Sequence, residues 1–351
     1  MNDSSPMSSV ATSVPGRSRR DPMILWKAYV GTVLVVWVVI AFGFHYWREI
    51  IHHWQMAVVM IPGSLVAGST AMGGGTVAFP ILVLVLHQPP ANARNFGLLI
   101  QGLGMSSAMF FMIGRKIRLP FRFLFGTTLG APIGLLLGTF LVGPHVQNSI
   151  TKLLFSCLWM SFGLLILLGN AELRGLQGAA PPNTANTQRV GLLVGVMGGL
   201  IIGIIGVGVE LCVYCVLVLI YRADLRIAIP TAVCAAALAS AEGVALHTWL
   251  GDMERGSVMD LLAAGPLAIF GAPAGAWLAS IVPRARLLYF VAGLCVFQFF
   301  WTLQQVARGR AEWIFAGVAM CMAAILLFTL YRVGKRREKL RLSYSAASAS
   351  K

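Results

Sequence analysis

An apolar run from Gln55 to Leu86 constrains this chain most, because it is too long for one ordinary membrane span and three successive glycines, Gly73, Gly74 and Gly75, interrupt it. At ~1.5 Å per residue, a continuous helix of that length would outreach the ~30 Å hydrocarbon core by about half. The run must therefore tilt steeply or break. Each glycine disfavours helix by ~1 kcal/mol relative to alanine, which puts the break at the triplet, with Pro62 and Pro80 in the flanking halves. A half-helix starting near Thr76 would then present unpaired N–H groups and the positive end of its dipole at membrane depth. Discontinuous helices of this kind build binding sites in secondary transporters.

The remaining composition agrees with a membrane setting. Hydrophobic residues make up 58% of the chain and charged residues 11%, against roughly 25% charged in soluble domains. The formal net charge of +15 is spread over short clusters between apolar runs, the pattern of a polytopic membrane protein rather than of a nucleic-acid binder. All six cysteines (Cys157, Cys212, Cys215, Cys234, Cys295 and Cys321) fall within apolar runs. They read as packing residues, and Cys212 and Cys215, though spaced as CxxC, have no second pair or nearby histidine to complete a metal set. No cofactor or metal is expected.

In chain order, residues 1–22 read as a disordered cytoplasmic tail and 23–50 as an additional N-terminal membrane helix. That helix is too long for a signal peptide and lacks a small-x-small cleavage site. Residues 55–169 form a first transporter repeat, with full spans near 96–113, 123–142 and 153–168. A polar linker, 170–189, carries Pro181 and Pro182. Residues 190–306 form a second repeat, opening on a broken run at 190–221 that contains Gly203, Gly206 and Gly208, with spans near 227–250, 258–282 and 287–305. An additional C-terminal helix, 310–332, leads into a basic cytoplasmic tail, 333–351.

The halves echo each other. A shift of 135 positions carries Gly68 and Gly73 onto Gly203 and Gly208; further on, Gly130-Ala131-Pro132-Ile133-Gly134 reappears as Gly271-Ala272-Pro273-Ala274-Gly275, and Lys152-Leu153-Leu154-Phe155 as Arg286-Leu287-Leu288-Tyr289. Three matches in the same order indicate an internal duplication. Charge placement decides how the broken runs cross. If each is a hairpin returning to its own side, 21 of the 27 Lys and Arg residues fall inside, the cluster Arg115, Lys116, Arg118, Arg122 among them. If each crosses once, that cluster falls outside, against the usual bias. The hairpin reading makes the expected fold all-α: a polytopic membrane protein of two inverted repeats, each one re-entrant helix hairpin plus three spans, with one extra helix at each end and both termini cytoplasmic.

With Ala228, Pro230 and Thr231 opening the helix after the second break, and GAPxG helices in both halves, residues 56–303 resemble the sulfite exporter TauE/SafE family of membrane permeases. The resemblance implies an inner-membrane transporter, an exporter, of a small inorganic or organosulfur anion such as sulfite or a sulfonate. Its glycine triplet is intact at Gly73, Gly74 and Gly75 but reads Gly208, Val209, Glu210 in the second half. The Thr-Ser that usually follows the hairpin is Thr231-Ala232 there and Phe96-Gly97 in the first half.

Only Glu210 and Glu242 are acidic residues deep within apolar runs, where a central carboxylate costs ~2.5–3.5 kcal/mol and is expected to face a cavity or a partner. Glu210 corresponds to Gly75 at the 135 shift and so stands at the start of a half-helix. There it acts either as a proton-coupling group beside the anion or as a structural cap. Glu242 is a second proton-coupling candidate or a buried hydrogen-bonding group. The expected substrate-binding set is Ser69, Thr70, Gly73, Gly74, Gly75, Thr76, Gln101, Gly206, Gly208, Glu210 and Thr231; interhelical bonding is the simpler role for Gln101 and capping for Thr76. The histidines lie mainly at span ends, where interfacial placement explains them. No GxSxG, DxxD or P-loop lysine supports a membrane enzyme, and an anion-selective channel is the other rival. The partners are the anion and the lipid bilayer; the oligomeric state, a homodimer included, stays open.

Overall fold

Apolar segments in a bilayer must satisfy their backbone internally, and helix is the open-chain solution. The computed structural model describes residues 21–70, 72–174 and 180–349, and the described residues are helical with no strand. The elements are α1 (Ile24–Val38), α2 (Trp47–His52), α3 (Trp54–Ser69), α4 (Gly74–Pro80), α5 (Pro90–Gly114), α6 (Phe121–Leu136), α7 (Asn148–Arg174), α8 (Ala185–Ile205), α9 (Val209–Cys215), α10 (Leu225–Leu250), α11 (Arg255–Ile281), α12 (Arg284–Val306) and α13 (Arg310–Ala349). Among the described residues nine helices are long and apolar enough to cross a membrane. The expected tail at 1–22 lies, except for Asp21 and Pro22, outside the described residues, as do 175–179 of the linker and the last two residues.

Both broken runs fold back on themselves. In the first, Gly74 packs against Ala67 while Gly63 packs against Val77, an order that only antiparallel arms produce; in the second, Gly198 meets Val209 and Gly208 meets Ile201. The arms α3, of 16 residues, and the 12-residue stretches Gly74–Val85 and Val209–Ile220 reach ~24 and ~18 Å, short of the ~30 Å core. The α8 arm is longer than expected. It starts at Ala185 rather than 190 because the Thr184 hydroxyl caps it, accepting from the Thr187 N–H at 3.3 Å. At 21 residues α8 is counted among the nine spans, where the sequence led us to expect eight and two hairpins. Its polar first turn, Asn186 to Arg189, accounts for the excess.

The backbones of the two hairpins repeat in detail. Each short arm ends in a π-helical turn, Ile81–Val85 and Val216–Ile220. His87 and Arg222, 135 apart, leave these turns at φ of 53° and 54°. The N–H of Gln88 donates to the Leu82 carbonyl as that of Ala223 does to Leu217. The roots lie at opposite ends of the bundle. Near the first, Arg255 pairs with Glu49 at 2.6 Å and His53 Nδ1 lies 2.6 Å from Asp260. Near the second, Arg222 pairs with Glu338 at 3.2 Å and Phe123 stacks edge-on with Tyr221.

Small residues set the packing between halves. Gly126, Gly130, Gly134 and Gly138 of α6 and its π-helical extension face Gly191, Gly195, Gly199 and Gly203 of α8, each so close to a carbonyl of the other helix that a Cβ would collide with it. Ser64 and Gly68 of α3 face Gly271 and Gly275 of α11 in the same manner. Without a hydrophobic drive between helices in lipid, such backbone approach supplies the association. Gly203 meets the Leu135 carbonyl and Gly138 that of Leu200, as Gly68 meets the Ala272 carbonyl and Gly275 that of Leu65, so α11 follows α6 at a shift of 137. The Gly-Ala-Pro match in the sequence, at 141, is therefore one helical turn out of register.

A Gly134→Leu substitution should destabilise the protein by about 3 kcal/mol or more through overpacking. Gly317→Ala, with nothing within 4 Å of the added Cβ, should not destabilise it. Thermal unfolding of both variants in detergent checks this.

Candidate functional site

The two hairpin tips meet on α5. Gly73 is the N-cap of α4 and Gly208 that of α9, and the side chain between them is Glu210, fully buried. Its Oε1 accepts from the Gln101 amide at 2.9 Å and from the Gly73 N–H at 3.3 Å; its Oε2 accepts from the Gly208 N–H at 3.1 Å. One carboxylate thus joins the first tip, the second tip and the middle of α5. Gln101 in turn accepts from the Ser240 hydroxyl of α10 at 3.2 Å, and both side chains are fully buried.

Local geometry explains why glycine is required here. A Cβ on Gly73 would overlap the Gln101 amide nitrogen. Gly206 and Gly208 adopt φ of 81° and 126°, a region L-residues avoid, and this sharp turn points the Gly208 N–H back at Glu210. Gly75 lies against Val207 and Gly97, which brings the second tip onto the start of α4.

A cavity of ≈780 Å³ runs from one end of the bundle to the end of α3 at the first hairpin tip. Arg115, Arg118 and Arg226 line its outer part; Gly68, Ser69 and Thr70 line it at the first tip; Phe162 and Tyr214 form part of its wall. Tyr214 is one helical turn beyond Glu210 on α9. The three arginines give the cavity a positive potential that concentrates anions, while the walls between are largely apolar.

The expected site residues divide accordingly. Gly73, Gln101, Gly208 and Glu210 form the hydrogen-bonded junction, with Gly75 and Gly206 packed beside it. Ser69 and Thr70 border the cavity, but their hydroxyls donate to the Val66 carbonyl at 3.3 and 2.7 Å. Gly74 packs on Met60 and Ala67. Thr76 donates its N–H to the Gly73 carbonyl at 2.9 Å, and among the described residues its buried hydroxyl has no partner. Thr231 is buried and bonds its own helix through the Ile227 carbonyl at 2.6 Å; its neighbour Pro230 lines the cavity instead. Glu242 stands apart, because two residues after Ser240 a helical side chain points away from Gln101. It is half-buried, and among the described residues its Oε2 has no partner.

Sequence reasoning missed Ser240 and Tyr214 as neighbours of the junction, and it missed the partner of one histidine. His247 lies in the last turn of α10, at a span end as expected, but it is fully buried, with Nδ1 2.9 Å from Asp252. No spacing rule links Gln101 to Ser240, 139 positions apart, whereas the wish to bury neither uncompensated was a signal.

Compared with known families, the chain matches the sulfite exporter TauE/SafE family over residues 56–302. The chain belongs to this family. The match spans both hairpins and the three helices after each, leaving α1, α2 and all of α13 outside it. It makes this TauE/SafE member a multi-pass protein of a membrane transporter family. No curated protein and no solved structure matches it.

Gln101→Leu should cost about 1–3 kcal/mol, since it removes a donor from a buried carboxylate; Ser240→Ala should cost less, about 1 kcal/mol. Unfolding midpoints of the two variants at fixed pH and detergent check the order.

Proposed function

We propose that the chain is a secondary transporter that exports a small anion, sulfite or an organosulfonate, across the inner membrane, with both termini cytoplasmic and its halves arranged as inverted repeats. The observation that carries this reading is the junction itself. Two hairpin tips rooted at opposite ends converge on one buried carboxylate, and a cavity lined by arginines extends to the first of these tips. Half-helix N-termini aimed at a single point are where transporters hold anionic groups. Here Glu210 takes those donors. It acts as a resident anion that competes with the cargo, and a proton on Glu210 weakens its hold on the N–H groups and admits the anionic substrate.

The basic clusters support the orientation. Arg115, Arg118 and Arg226 stand at the mouth of the cavity and Arg222 at the root of the second hairpin, so the positive-inside bias places that end in the cytoplasm. The cavity is then the cytoplasmic entrance. An anion channel would need a continuous path, and the hydrogen-bonded junction closes this one below the cavity. An enzyme would need a nucleophile with a base or a metal set, which the junction does not supply.

Glu242 has no place in the Glu210 network, and its part in proton coupling would have to run through a different path. Proteoliposome flux assays with sulfite, sulfate, sulfoacetate, taurine and simple carboxylates at two pH values test the reading. Wild type should move one of the anions with a saturable, pH-dependent rate, and Glu210→Gln should flatten the pH dependence. An unchanged pH profile at full activity in Glu210→Gln would remove the coupling role; stabilisation and transport of cations or sugars alone would remove the anion.

A further inference from the structure

At the end of the bundle away from the cavity, four polar side chains tie the first turn of α5 to the loop after α10. Arg94 donates to Asp252 Oδ2 at 3.0 Å and to Asn95 Oδ1 at 3.1 Å; Asn95 donates to the Asp252 carbonyl at 2.7 Å; His247 Nδ1 lies 2.9 Å from the Asp252 carboxylate. The backbone of Arg94 rests on Gly206 so closely that no Cβ fits between them. This latch therefore seats on the second hairpin tip.

The shift of 135 that carries one hairpin onto the other also carries the latch. Arg94 and Asn95 map forward onto Ile229 and Pro230; His247 and Asp252 map back onto Met112 and Ile117. All four of these counterparts line the cavity at the opposite end. The same positions that are joined in one copy surround an open mouth in the other.

We infer that these two quartets are the alternating gates of one carrier: a charged outer latch, closed here, and an apolar inner gate, open here. This rests on the transporter reading above. In the opposite state Met112, Ile117, Ile229 and Pro230 meet and shut the cavity, while Arg94 parts from Asp252. The chemistry of the two gates differs, and the difference has a use. Closing the inner gate buries apolar surface; opening the outer one leaves the Arg94 guanidinium without its carboxylate, and a passing anion can take that place. An anion at Arg94 is then the ligand that favours the outward-open state, as a population shift requires.

The test is disulfide cross-linking in the full-length chain in proteoliposomes, with linked peptides identified by mass spectrometry. A disulfide needs Cα atoms within about 7 Å, so it reports which gate is closed. The pair Ile117→Cys with Ile229→Cys should cross-link little at rest and several-fold more under a sulfoacetate gradient, since a sulfonate, unlike sulfite, does not cleave disulfides, with flux blocked by oxidation and restored by a reductant. Adding Asp252→Asn to the Ile117/Ile229 pair should raise its cross-linking several-fold without any substrate. That last arm does not depend on transport, so it separates failure of the gates from failure of the substrate reading. Equal cross-linking of the inner pair with and without Asp252→Asn, in protein whose unfolding midpoint is unchanged, overturns the inference.

Discussion

The fold depends on where one buried carboxylate finds its hydrogen bonds. An uncompensated charge at membrane depth is expensive, and Glu210 is compensated only if Gly73, Gly208 and Gln101 converge on it. That single requirement fixes the relative position of both hairpin tips and the helix between them. It also fixes residue types around it: a side chain at Gly73 would displace Gln101, and a β-carbon at Gly206 would strike Arg94.

Convergence of the tips requires the outer framework to come close, and small residues provide this. The α6–α8 interface, with four glycines on each helix, and the α3–α11 interface, with Ser64 and Gly68 against Gly271 and Gly275, bring each hairpin's long arm against a helix of the opposite half. Each half thus supplies the support for the other's hairpin. The added helices stand outside this exchange: α1 reaches it through Trp26, which donates to Ser107 at 3.1 Å, and α13 through Glu338 on Arg222.

Much of this architecture was legible before any coordinates. The excess length of the run at 55–86 and its glycine triplet called for a break, and the charge clusters called for chain reversals; antiparallel contacts at Gly63 and Gly198 are what those arguments require. The correspondence of the two hairpins was readable at Gly68 and Gly203 but slipped by one turn at the Gly-Ala-Pro motifs, because glycines repeat every fourth residue along α6 and any turn offers a match. Glu210 stood out as a mid-membrane acid, and its start-of-helix position gave the donors away. The partners from other helices, Ser240 on Gln101 and Asp252 on Arg94, were hidden, since polar pairs more than 100 positions apart leave no periodic trace in one sequence.

The central claim is that the two hairpins are rooted on opposite faces of the membrane and touch at their tips. Labelling single-cysteine variants with a membrane-impermeant maleimide in intact cells tests it most directly, using His87→Cys at the exposed root of the first hairpin and Arg226→Cys beside the root of the second. The account predicts that His87→Cys is labelled in intact cells and Arg226→Cys only after the membrane is opened. Labelling of both positions from the same face would contradict it.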